Sequence, residues 1–240
     1  MSFHVTAALV PRDLSDEDLA GKNAVVIDVL RATTSIVTAL RNGALSATPA
    51  ATPEEALERK AEGVLICGER GGVRCDGFDL GNSPREYHPD AVAGKRLIFT
   101  STNGSRTMEA VKRAREVYLA AFINAGAVAH ALVLSGRGVI IACAGDHGRF
   151  SLEDTVCAGL IVHRLRQNRA GLETDDEAVA AEILYRAHET RLLSMMEGSV
   201  HGKRLIGLGF QQDLAFAAQL DLTGMLPVLR ARGFEDGSVN

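Results

Sequence analysis

The sequence predicts an α/β protein built on a largely parallel or mixed sheet. Three observations carry that prediction. Short apolar runs rich in β-branched residues alternate with longer helical stretches. Two of the runs, 24–30 (AVVIDVL) and 138–143 (GVIIAC), are almost wholly apolar, as strands covered on both faces must be. The 240 residues, 46% hydrophobic and 23% charged, are enough for one domain with its own core.

Taken in order, strands are expected at 5–10, 24–30, 64–67, 96–100, 116–120 and 138–143. Helices are expected at 33–42, 53–61, 104–114, 123–135 and 151–170. Thr52-Pro53 fits an N-cap followed by proline in the first turn. Ser151, with Asp154 three residues on, fits a capping box. The whole of 1–240 reads as a single α/β domain whose C-terminal region, from about 171, is mainly helical. There a helix spans 174–196, a glycine-punctuated stretch (EGSVHGKRLIGLGF) follows, and a short helix covers 210–220. The run MLPVLR reads as an edge strand, because Pro227 lacks the N–H a central strand would use. Residues 68–89 show little periodicity and read as a long loop, either functional or disordered.

Composition excludes several classes. A net charge of −4 argues against nucleic-acid binding. No apolar run reaches the ~18 residues of a membrane span, and the start of the chain lacks a basic leader pattern. The four cysteines, Cys67, Cys75, Cys143 and Cys157, form no CxxC pair and read as reduced thiols of a cytoplasmic protein. Aromatics are 5% and tryptophan is absent, so stacking on a sugar or base is not expected to dominate the site.

Ligands of α/β sheets sit at the carboxyl ends of strands. Four such ends are unusually polar. After 24–30 come Asp28, Arg31, Thr33 and Thr34, at a helix start that could cradle an anion; a divalent cation such as Mg²⁺ would reconcile that anion with Asp28, unless Asp28 only caps the helix or pairs with Arg31. Residues 68–87 interleave Glu69, Arg70, Arg74, Asp76, Asp79, Asn82, Ser83 and Arg85 with glycine, which suits either a metal with an anionic ligand or a solvated loop. Ser101, Thr102, Asn103, Gly104 and Ser105 form a second hydroxyl-rich turn. Asp146, His147 and Arg149 follow Cys143, with Glu153 and Asp154 in the next helical turn. Cys143 to Arg149 also spells C-x5-R, the spacing of thiol phosphatases, although Asp146 would place a negative charge in that cradle. No P-loop lysine motif, GxGxxG, HExxH or GxSxG is present. His4, His88, His130, His163, His188 and His201 have no ligand spacing and read as surface or core residues. Together the four ends describe a site for a small, doubly charged oxyanion with a metal.

The blocks VIDVLRATTSIVTAL, GERGG-R-DGFDLGNSP, TSTNG and CAG-HGRFSLEDT-CAG resemble the 2-phosphosulfolactate phosphatase (ComB) family over about residues 3–220. The resemblance implies a ComB-like three-layer α/β/α fold and Mg²⁺-dependent hydrolysis of (2R)-2-phospho-3-sulfolactate to 3-sulfolactate and phosphate. In methanogens that reaction belongs to coenzyme M biosynthesis. On that reading Asp28, Glu69 and Asp154 are the expected metal ligands. Arg31, Thr33, Thr34, Arg70 and Arg149 cradle phosphate or sulfonate. Asn82, Ser83, Thr102, Asn103 and Gly104 hold the remaining anionic groups, and Glu153 or Asp76 positions water. Two alternatives stand beside it: a metal-dependent phosphatase of another small 2-phospho-hydroxy acid, and a non-catalytic binder of anionic metabolites. The expected partner is a small anionic phosphorylated metabolite. The apolar stretch LTGMLPVLR packs either within the subunit or across a homodimer.

Overall fold

A computed structural model describes residues 3–11 and 14–238. The strands are β1 (Phe3–Ala8), β2 (Asn23–Ile27), β3 (Ser46–Pro49), β4 (Val64–Arg70), β5 (Val73–Arg74), β6 (Arg96–Thr100), β7 (Val117–Ala120), β8 (Val139–Cys143), β9 (Leu172–Thr174), β10 (Pro227–Arg230) and β11 (Gly233–Asp236). The helices are α1 (Asp16–Leu19), α2 (Ala32–Arg41), α3 (Pro53–Glu58), α4 (Pro89–Val92), α5 (Gly104–Val111), α6 (Ala125–Ser135), α7 (Leu152–Asn168), α8 (Asp176–His188), α9 (Leu192–Gly198), α10 (Val200–Gly207) and α11 (Gln211–Ala217).

The strands form one mixed sheet in the order β5-β4-β6-β3-β11-β10-β7-β2-β8-β1-β9. Two parallel groups are present, β4-β6-β3 and β7-β2-β8-β1-β9. The antiparallel hairpin β10–β11 joins them, pairing with β7 on one side and β3 on the other. The expectation of an edge strand at MLPVLR is therefore corrected: β10 is interior. Pro227 is tolerated because it opens the strand, opposite Asp236, while Val228 is the residue that pairs with Tyr118. The segment packs within the subunit, with Val228 buried.

Helices cover both faces, which makes three layers. Alternate residues of the central strands divide between two cores. Val25, Ile27, Val139, Ile141 and Cys143 face the core under α6 to α11. Ala24, Val26, Ile140 and Ala142 face the core under α1, α2, α4 and α5. Thr52 caps α3 as expected, its Oγ1 accepting from Glu55 N at 3.1 Å. The glycine-punctuated stretch contains helix α10. Gly202 is what lets it pack: a Cβ there would sit 1.8 Å from the Met196 carbonyl oxygen. Among the described residues no helix is long and apolar enough to cross a membrane.

Candidate active site

Polar side chains from both parallel groups line one narrow cavity. Asp28 follows β2, His147 follows β8, Glu69 lies near the end of β4, and Thr102 and Asn103 follow β6. Helix α10 closes the cavity with His201, Arg204 and Leu205. These ends belong to one mixed sheet, in two parallel groups bridged by the β10–β11 hairpin.

Asp28 is buried. Its Oδ1 accepts from Ala32 N at 3.2 Å, so it does help to start α2. Burial pushes its carboxyl up to about 6, against the attraction of His201 and the Ala32 hydrogen bond, with the charges of Glu69 and Glu153 adding to the rise. Gly104 makes room for it, since a Cβ there would lie 2.6 Å from Asp28 Oδ2. Glu69 Oε1 accepts from Thr102 N at 2.7 Å, and Oε2 accepts from Gly72 N at 2.6 Å and Thr102 Oγ1 at 3.2 Å. The carboxylate therefore fixes two loops while it faces the cavity.

Arg31 pairs not with Asp28 but with Asp213 of α11. Its Nη1 donates to Asp213 Oδ2 at 2.8 Å and its Nη2 to the Gly72 carbonyl at 2.6 Å. Its guanidinium lies 4.1 Å from the centre of the Phe210 ring. Ser83 Oγ donates to the other oxygen of Asp213 at 2.7 Å. Asn82 lines the cavity, and its Oδ1 is buried without a partner.

Other expected site residues are engaged elsewhere. Asp154 does not line the cavity. Its Oδ1 accepts from Val29 N at 2.8 Å and its Oδ2 from Gly145 N at 3.1 Å, so it ties together the turns after β2 and β8. Burial first, then the charges of Asp28 and Glu153, raises its carboxyl well above the usual range. The capping box is half realised: Ser151 Oγ accepts from Asp154 N at 3.2 Å, but the carboxylate goes to the two turns. Thr33 Oγ1 donates to the Asp28 carbonyl at 2.8 Å and Thr34 Oγ1 to the Val29 carbonyl at 2.7 Å, so both hydroxyls brace the turn. Arg70 turns away, donating to the carbonyls of Glu69 and Ala51 and to Thr100 Oγ1. Arg149 and Asp76 are exposed and outside the cavity. Among the described residues no group of three His, Cys, Asp or Glu side chains is placed to hold a metal ion. The structure does not assemble Asp28, Glu69 and Asp154 as a set of three.

Cys143 faces the core, 1% exposed. Burial, with Asp154 next, pushes its thiol well above the ordinary value, which is the opposite of a thiolate nucleophile.

Sequence reasoning missed the α10 and α11 contribution. His201 lines the cavity, with Nδ1 3.2 Å from Oε1 of buried Glu153. Arg204 donates both Nη groups to Asp146, at 3.0 and 2.6 Å. The available signal was the i, i+3 spacing of His201 and Arg204, which puts them on one helical face. Four glycines in the stretch concealed it.

Residues 8–232 match the family model described as 2-phosphosulpholactate phosphatase. A Thermotoga maritima protein named "Probable 2-phosphosulfolactate phosphatase" is 48% identical over 208 residues, 87% of this chain and 89% of its own length. Proteins of the same name from Symbiobacterium thermophilum (44% over 227 residues, 93% and 95% of the two chains) and Gloeobacter violaceus (42% over 237 residues, 96% and 95%) are also similar.

Proposed function

The chain belongs to the 2-phosphosulpholactate phosphatase family, and on that premise we propose that it hydrolyses the phosphate ester of a small anionic 2-hydroxy acid, 2-phosphosulfolactate, with Mg²⁺. The observation that carries the reading is the meeting of Asp28 and Glu69 with Arg31, His201 and Arg204 around one cavity.

The donor set suits a hard cation. Mg²⁺ is commonly held by one or two carboxylates, with water and substrate phosphate completing its shell. Asp28 and Glu69 supply the two carboxylates, and the unpartnered Asn82 Oδ1 is a neutral oxygen beside them. Glu69 Oε1 keeps a lone pair beyond the one N–H bond it accepts. Bound there, the ion would polarise a phosphoryl oxygen and offset charge in the transition state.

The chain's own residues do the rest. Arg31, its plane fixed by Asp213 and Phe210, presents its remaining N–H groups to the phosphoryl oxygens. A water oxygen forms the new bond to phosphorus as the bond to the ester oxygen breaks. His201, oriented through Nδ1 by Glu153, gives that departing oxygen a proton from Nε2; the attacking water loses its proton to solvent, from which His201 is reprotonated for the next turnover.

The test is phosphate release from 2-phosphosulfolactate with Mg²⁺ and with EDTA. Release that chelation abolishes and Mg²⁺ restores is the expected result. EDTA-resistant release overturns the metal assignment, and no release overturns the activity.

A further inference from the structure

The proposed ester carries anionic groups besides the phosphate that is transferred, and something must recognise them. Asp28 and Glu69 repel an anion, so the contact has to come from the opposite wall of the cavity, formed by α10. Arg31 is already held on three sides, by Asp213, the Gly72 carbonyl and the Phe210 ring.

Arg204 is different. A guanidinium has two edges that can each grip a pair of oxygens, one through Nη1 and Nη2 and one through Nε and its neighbouring Nη. Asp146 occupies the first edge. On the second, Nε is buried and has no hydrogen-bond partner. Few other buried side-chain polar atoms among the described residues lack a partner, and Asn82 Oδ1, which lines the same cavity, is one of them. Unsatisfied polar atoms are rare in folded proteins and call for an explanation. Arg204 Nε is a donor, so the group that satisfies it is an acceptor such as a ligand oxyanion.

We propose that Arg204 is a specificity-determining residue: its Nε edge binds the oxyanion of the substrate that is not transferred, sulfonate or carboxylate, while Asp146 holds the guanidinium plane. The proposal rests on the phosphatase reading above.

The experiment compares wild type with Arg204→Ala and Arg204→Lys on three esters. These are 2-phosphosulfolactate, 2-phospholactate (no sulfonate) and 2-phosphooxyethanesulfonate (no carboxylate). On the first ester Arg204→Ala is expected to lower kcat/KM by ~10- to 100-fold, the loss of a charged hydrogen bond, mainly through KM. On the ester lacking the recognised group that penalty should disappear, and which ester shows this identifies sulfonate or carboxylate. Arg204→Lys, which keeps the charge but not the fork, should show the same selectivity loss at smaller size. It also serves if the alanine variant fails to fold. Inhibition by 3-sulfolactate should weaken while inhibition by inorganic phosphate stays unchanged. An equal penalty on all three esters, or equal weakening of both inhibitors, overturns the proposal. Failure of the wild type on every ester would overturn the phosphatase reading instead.

Discussion

Arg31 Nη1 lies 2.8 Å from Asp213 Oδ2, a pair separated by 182 residues in sequence and at most 2% exposed on either side. It fastens α11 to the turn after β2. Removing one partner leaves the other charge buried and uncompensated. Asp213→Ala should therefore cost ~3–5 kcal/mol, read as a lower urea midpoint, and Arg31→Met combined with it should recover part of the loss. Strict additivity of the two variants would contradict the coupling.

Asp28→Asn should separate stability from activity. The folded-state carboxyl is raised above its ordinary 3.8 to about 6, so ionisation opposes folding, and at neutral pH the charged form costs stability. The amide removes that cost. Turnover should fall by ~10²–10³-fold or more, while the melting temperature without divalent ions holds or rises. A large fall in melting temperature would contradict the electrostatic account.

Gly202→Ala should disrupt the packing of α10. The added Cβ would meet the Met196 carbonyl at 1.8 Å, a clash with backbone that a rotamer change does not relieve. The expected loss is ~3 kcal/mol or more, together with activity, because α10 carries His201 and Arg204. Thermal melts and phosphate release measure both. Unchanged values would mean that α10 shifts freely.

Thiol alkylation should spare activity. Cys143 and Cys157 are at most 1% exposed, and burial raises both thiols well above the ordinary value. Iodoacetamide should label half-buried Cys75 first, as mass mapping of native protein would show. Inactivation that tracks labelling of Cys143 would revive a thiolate mechanism.

Asp146 should shape the acid limb of stability. Its partial burial tends to raise the carboxyl, but the Arg204 hydrogen bonds, with the charges of His201, Arg204 and His147, outweigh this and hold it below 3.8. A depressed carboxylate contributes its stability in full above the unfolded value and loses it as pH falls through the folded one. Between wild type and Asp146→Asn, the difference in unfolding free energy should therefore be constant at higher pH and shrink below about pH 4. A gap that widens on acidification would give the wrong sign.

The α/β class was legible in the chain's own pattern, because a strand covered on both faces has to be apolar, and β2 and β8 are buried along their whole length. It also marked the turns holding Asp28, Glu69 and Thr102, because polar residues and glycine at strand ends are costly without a ligand or a tie. It could not say which of those polar groups face the cavity. Thr33, Thr34, Arg70 and Asp154 match their neighbours in chemistry, yet the tertiary structure uses them as ties, since each lies within reach of a backbone group. Only the tertiary structure placed β10 in the sheet interior, where the partners β7 and β3 are distant in sequence. Only it delivered His201, Arg204 and Asp213 to the site. Local pattern follows from the chain's own period, whereas a buried ion pair across 182 residues exists only once two helices have packed.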